Sequence, residues 1–168
     1  QRDDMMAIGL ENLLQLDYVC SWFFKFVEYR KFGHARAAFV CTSSVCQGEQ
    51  VALLWPNIFE KNLEIAFAYE PFKWSNNASN NAGVVCTIIG LRDRENQKKI
   101  LFSSEQKKFV DNINPYLLDA PSVLIESVSA PINGLPGMCM GSNPVDGTHL
   151  VLTSEEAREI KKYYPAAE

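Results

Sequence analysis

The chain has 168 residues, 47% of them hydrophobic and 21% charged, with a net charge of −4. This composition can bury a core and excludes a chain that is disordered by composition. No apolar run approaches the ~20 residues that span a bilayer, and the acidic balance counts mildly against nucleic-acid binding by bulk charge alone.

The chain opens on Gln1 rather than Met, and the polar, acidic stretch Gln1–Met6 lacks the charged-then-apolar order of a signal peptide. Both ends read as cuts, so the expectation is a piece of a larger intracellular α/β enzyme. From Leu16 to Arg30 the apolar positions 16, 19, 20, 23, 26 and 27 follow the stripe of an amphipathic helix. Gly33 stands where a left-handed cap is expected. Next comes Ala37–Cys41, a short continuous apolar run. Placed directly after a helix, it predicts a strand covered on both faces, as in a parallel sheet.

The polar turn Thr42-Ser43-Ser44 leads to Gln47-Gly48-Glu49-Gln50, where a second helix begins. Val51, Leu54, Trp55, Ile58 and Phe59 share one of its faces, and Pro56 removes one of its hydrogen bonds. Leu63–Tyr69 and Gly83–Gly90 are strand-like, rich in β-branched and aromatic residues. The segment from Glu70 to Asn81 between them is too long for a tight hairpin and reads as a loop. Helix, strand, helix, strand, long loop, strand is the ending of a doubly wound sheet, whose earlier strands are needed to bury Ala37–Cys41.

After Leu91 the charged run Arg92–Lys99 marks a boundary. Lys99–Phe102 and Lys107–Val110 predict short strands around a turn, and Ser122–Val128 predicts another. Ser129–His149 is rich in Gly and Pro and reads as ordered loops. Thr153-Ser154-Glu155-Glu156 is a capping box, with Thr153 as N-cap and Glu156 at the third helical position, opening a helix to about Tyr163. The fold class is therefore α/β: the C-terminal half of a doubly wound, Rossmann-like sheet over residues 1–91, followed by a mixed α+β region over 92–168.

The five cysteines, Cys20, Cys41, Cys46, Cys86 and Cys139, form no Cys-x-x-Cys pair, and neither His34 nor His149 completes a zinc-site spacing. Buried, reduced thiols in a cytoplasmic protein are expected, with no metal site. In doubly wound sheets ligands bind beyond the carboxyl ends of the strands, which selects Thr42–Gln50 and Pro71–Asn77. Thr42, Ser43, Ser44 and Gln47 are candidates for lining an active site; the competing role for such hydroxyls is capping the next helix. In the second segment Phe72 and Trp74 stand beside Lys73, Asn76 and Asn77. Aromatic faces next to amide and ammonium donors suit a planar base, while the competing role is an inward fold that caps the sheet. Glu49, in the first turn of its helix, is either an acid–base group or a partner of the helix dipole. Asn114-Pro115-Tyr116 approaches the Asn-Pro-Pro-Tyr signature of amino-methyltransferases but lacks one proline and follows the strands that the signature should precede; it reads as a turn.

Taken in order, Leu16-Asp17-Tyr18-Val19, Ala38–Val51 with its Gln47-Gly48-Glu49-Gln50 segment, and Leu54-Trp55-Pro56 resemble the MmeI-like class of adenine-N6 DNA methyltransferases. So do Phe72–Ala78, Ile88-Ile89-Gly90, Ile113–Leu117 and Asp146-Gly147. The resemblance runs over nearly the whole chain. It implies an S-adenosylmethionine-dependent enzyme, often part of a restriction-modification system, that acts on double-stranded DNA. It implies that Ala37–Thr42 is the fifth strand of the methyltransferase sheet, that Leu63–Tyr69 and Gly83–Gly90 are the last two, paired antiparallel, and that the target recognition domain begins after Leu91. It also implies that Phe72 stacks on the flipped target adenine, whose amino group is otherwise locked in a base pair, and that Lys73, Trp74, Asn76 and Asn77 line the pocket mouth or touch DNA. The family's glycine-rich cofactor loop and Asn-Pro-Pro-aromatic motif lie upstream of these segments and are absent from this sequence. No catalytic residue and no bound cofactor are therefore expected in the chain alone, and an exposed cut face is expected to favour self-association. The competing reading is a non-catalytic module that binds another protein through the Pro71–Asn81 loop.

Overall fold

A computed structural model of the chain describes residues 1–75, 83–104, 106–126, 128, 130, 131, 133–137 and 151–165. They fall into two compact units, Gln1–Ser127 and Val128–Glu168. The first unit holds α1 (Arg2–Ala7), α2 (Cys20–Arg30), β1 (Ala37–Thr42), α3 (Gly48–Phe59), β2 (Leu63–Lys73), β3 (Val85–Asp93), β4 (Lys99–Phe102) and β5 (Lys107–Val110). Short 3₁₀ turns lie at Glu11–Leu13 and Ser43–Cys46. The second unit holds α4 (Ser154–Tyr163).

One five-stranded sheet organises the first unit, in the order β1-β3-β2-β4-β5. β3 runs antiparallel to both β1 and β2, so β1 and β2 point the same way on either side of it. This is the antiparallel pairing of the last two methyltransferase strands that the resemblance implies. β4 then pairs parallel with β2, and β5 returns antiparallel to β4 around the Ser103–Gln106 turn, as their sequences predict. The sheet thus continues across the charged run that follows Leu91.

α2 and α3 lie on one face of this sheet, and the core sits between. Phe23 of α2 packs on Phe39 of β1 at 4.7 Å between ring centroids and meets Trp55 of α3 edge-on at 6.0 Å. Of the stripe expected on α3, Val51, Leu54, Trp55 and Ile58 are buried and Phe59 is half-buried. α3 runs through Pro56 without interruption. The Trp55 indole N–H donates to the Val45 carbonyl at 2.8 Å, tying the helix to the 3₁₀ turn before it. Asn62 takes a left-handed conformation (φ 58°) just beyond α3, which asparagine tolerates better than most residues.

Several elements differ from their sequence expectations. α2 starts at Cys20 rather than near Leu16. The reason is tertiary: Gln50 accepts a hydrogen bond from the Asp17 N–H (2.8 Å) and donates to the Gln15 carbonyl (2.9 Å), which holds the approach to the helix as a turn. Gly33 is not left-handed, and α2 ends on the right-handed Lys31. β1 is not covered on both faces. It pairs with β3 alone among the described residues, and its side chains alternate, with Cys41 buried and Val40 55% exposed. β3 lies between β1 and β2, so β1 has an antiparallel neighbour. β2 runs on to Lys73, so Phe72 and Lys73 belong to a strand end, not a loop. Residues 122–126 form no strand. They follow a turn in which the Asn114 Oδ1 accepts from the Tyr116 and Leu118 N–H groups, both at 3.0 Å. That use of a buried Asn agrees with reading Asn114-Pro115-Tyr116 as a turn. Most of the Gly/Pro-rich stretch, including Cys139, Asp146, Gly147 and His149, lies outside the described residues.

Candidate functional site

A single row of paired residues crosses three strands at one end of the sheet. Thr42, the last residue of β1, lies opposite Cys86 of β3, and Cys86 lies opposite Phe72 of β2. Neighbouring strands are ~4.8 Å apart, so the carboxyl ends of β1 and β2 sit about two strand spacings apart, roughly 10 Å. This is the position where open α/β sheets hold their ligands. Register thus brings Thr42 and Phe72, one from each segment selected from the sequence, to the same end of the sheet.

At the β2 end, Phe72 is half-buried and Lys73 is exposed. Trp74 is 40% exposed, and its N–H donates to the Val84 carbonyl at 2.9 Å, continuing the β2–β3 pairing one step past the strand. Neither aromatic is folded wholly inward. Asn76 and Asn77 lie outside the described residues.

At the β1 end, the hydroxyls of Thr42 and Ser44 are hydrogen-bonded to each other at 2.8 Å. Ser43 is buried, and its Oγ lies 3.5 Å from the Gln47 amide nitrogen. None of these side chains caps α3. Gln47 is its N-cap residue and makes no side-chain cap bond. Gly48 follows at φ +53°, a backbone that favours glycine, and turns the chain into the helix. These hydroxyls therefore bond among themselves and with Gln47. Glu49 is exposed in the first turn of α3, where a carboxylate faces the positive end of the helix.

Cys20, Cys41, Cys46 and Cys86 are free and buried. Burial pushes the Cys20 and Cys41 thiols up to about 12 and Cys46 higher still, so these three are inert packing groups at neutral pH. Among the described residues no three His, Cys, Asp or Glu side chains gather as metal ligands, and no helix is long and apolar enough to cross a membrane. His34 is exposed and bonds Asp93, which also pairs with Arg30.

Two contributors escape sequence reading. Gln50, inside the Gln-Gly-Glu-Gln segment, is a brace between α3 and the Gln15–Asp17 turn. Thr87, one hydroxyl in an apolar strand, is wholly buried and donates to the Tyr69 carbonyl beside Phe72. A lone polar residue within such a run is the only signal that marked it.

The family profile described as "MmeI, DNA-methyltransferase domain" matches residues 1–103, and that of "MmeI, target recognition domain" matches residues 119–168. DNA methyltransferase A of Bacillus subtilis (strain 168) is 41% identical over 167 residues, covering 98% of this chain and 19% of that protein. A solved structure of the type IIL restriction-modification enzyme MmeI in complex with DNA matches with a TM-score of 0.87 at 35% identity, over 99% of this chain and 24% of that one. The chain thus spans about a fifth to a quarter of the length of the relatives it matches. With more than half of it inside one profile, and its fold matching that of the MmeI structure, the chain belongs to the MmeI DNA-methyltransferase family.

Proposed function

We propose that the chain supplies the target-base side of an S-adenosylmethionine-dependent DNA adenine-N6 methyltransferase of the restriction-modification kind, together with part of its target recognition region. The observation that carries this reading is the row Thr42–Cys86–Phe72, which sets an aromatic ring at the ligand-binding end of the sheet in a chain of this family. Phe72 stacks on the extruded adenine, Trp74 and Lys73 border the mouth, and Asn76 and Asn77 follow them in sequence. Stacking suits this task because every base presents a π-face and the ring loses little entropy on contact. Thr42, Ser43, Ser44 and Gln47 form the opposite wall.

S-adenosylmethionine supplies the methyl group when bound, and the residues that hold it are not those of this chain. Alone, the chain is inactive in methyl transfer. The methyltransferase part, residues 1–91, comes first and the recognition part, residues 92–168, follows. The enzyme works in the cytoplasm on double-stranded DNA. The isolated chain self-associates through the open side of β1, where Val40 is exposed; concentration-dependent sedimentation checks this, and a strict monomer refutes it.

The test of the reading is transfer of a labelled methyl group to target DNA by the full-length enzyme. Phe72→Ala lowers kcat/KM by the worth of one base–aromatic stack, ~1–3 kcal/mol. Unchanged methylation and unchanged base extrusion would refute the stacking role.

A further inference from the structure

β2 carries two residues more than β3 over their paired length, one between Ile65 and Phe67 and one between Tyr69 and Phe72. Tyr69 lies opposite Ile88, and Phe72 lies opposite Cys86. Three steps along β2 match two along β3, so Glu70 and Pro71 together face Thr87. This is a β-bulge, a device that re-aims side chains near functional sites. Pro71 has no N–H to give to the ladder. The Tyr69 carbonyl instead accepts a hydrogen bond from the Thr87 hydroxyl. Thr87 has no exposed surface, and its neighbour Ile89 is equally buried.

The second extra residue decides which face of the sheet carries Phe72. Side chains alternate along a strand, and residues directly opposite share a face. With regular pairing from Tyr69 onward, Phe72 would lie opposite Val85. Val85 shares the face of Ile89, which lies opposite Phe39, whose ring packs on Phe23 and Phe26 of α2. Phe72 would then point to the helix side. With the bulge it lies opposite Cys86, on the face of Tyr69 and Ile88, away from the helices.

We propose that Thr87 is a positioning residue for target-base recognition: its hydroxyl-to-carbonyl bond locks the bulge that presents Phe72 on the outer face of the sheet. This rests on the reading of Phe72 as the stacking residue. Without the hydroxyl, the Tyr69 carbonyl loses its partner and the register slips toward regular pairing, which turns Phe72 inward.

The experiment is a double-mutant cycle in the full-length enzyme, read by kcat/KM for methylation and by fluorescence of 2-aminopurine at the target position. Thr87→Val lowers kcat/KM about tenfold and quenches extrusion, as loss of one buried bond does. Thr87→Ser, which keeps the hydroxyl, restores both. In the Phe72→Ala background Thr87→Val adds little, because the ring it positions is gone. An equal loss in both backgrounds overturns the proposal while leaving the stacking role intact. No loss with Phe72→Ala overturns the stacking role itself.

A second readout needs no activity. In the isolated chain Cys86 is 7% exposed beside Phe72, and Thr87→Val raises its alkylation rate about tenfold. An unchanged rate overturns the proposal. Should Thr87→Val fail to fold, deletion of Pro71 removes the extra residue and pairs Phe72 with Cys86 in a regular strand. That deletion rescues the variant, and failure to rescue overturns the proposal.

Discussion

Gly90 shows how one residue is dictated by its neighbour across the sheet. It pairs with Phe67, whose ring lies over it, so that a Cβ added to Gly90 would fall within the ring. Phe67 also meets Phe102 edge-on at 6.5 Å, which restricts its escape. Gly90→Ala therefore destabilises the chain by about 1–3 kcal/mol, the usual cost of overpacking. Urea unfolding checks this, and the loss shrinks in a Phe67→Ala background, where the space is open. At this scale the site was half legible. Phe72, Lys73 and Trp74 stood out as aromatic and cationic groups in one polar segment. Thr87 did not, because the bond it makes is to a carbonyl eighteen positions away in sequence.

Elements with strong local signals formed where expected. α4 begins at Ser154 because the Glu156 N–H is bonded by the Thr153 hydroxyl, while the Glu156 carboxylate accepts from the Thr153 N–H at 2.8 Å. The Thr153 N–H first, and then the Thr153 hydroxyl, which donates to the same carboxylate at 2.7 Å, hold the Glu156 carboxyl below its usual range. A ten-residue helix is marginal by itself, and α4 has no buried residue. Thr153→Ala therefore frays its first turn, with about fivefold faster amide exchange there, the effect of a typical N-cap. Unchanged exchange would show that something other than the cap starts the helix. The β4–β5 hairpin was equally local. α2 and 122–126 were not: Gln50 claims the approach to α2, and the Asn114 turn takes the backbone leading to 122.

At the scale of the molecule, one buried carboxylate ties three strands. Glu64 of β2 bonds the Arg92 guanidinium of β3 at 2.8 Å and the Lys99 ammonium of β4 at 3.0 Å. Lys99 also donates to the Asp111 carbonyl beyond β5 at 2.9 Å. Burial pushes the Glu64 carboxyl up, but the hydrogen bonds from Arg92, Lys99 and the Glu95 N–H together outweigh it and hold it below the ordinary 4.5. A carboxyl depressed in the folded state contributes stability that is complete above its unfolded value and is lost as pH falls through the folded one. The melting temperature thus has a component, flat at neutral pH, that declines below about pH 4.5. Glu64→Gln removes that component and costs about 3–5 kcal/mol at neutral pH, because two buried cations lose their counter-charge. An acid limb of unchanged slope in Glu64→Gln would assign the decline to other carboxylates.

By itself the sequence determined the α/β class, the buried stripe of α3, the β4–β5 hairpin, the capped α4 and the ordered motifs of the family, because each is written in neighbouring residues or in fixed spacings. Only the tertiary structure decided that β3 lies between β1 and β2 and that Thr42 and Phe72 share a row. Strand order, register and a one-residue bulge are set by pairing between distant segments, and a slip of one residue reverses every side chain that follows.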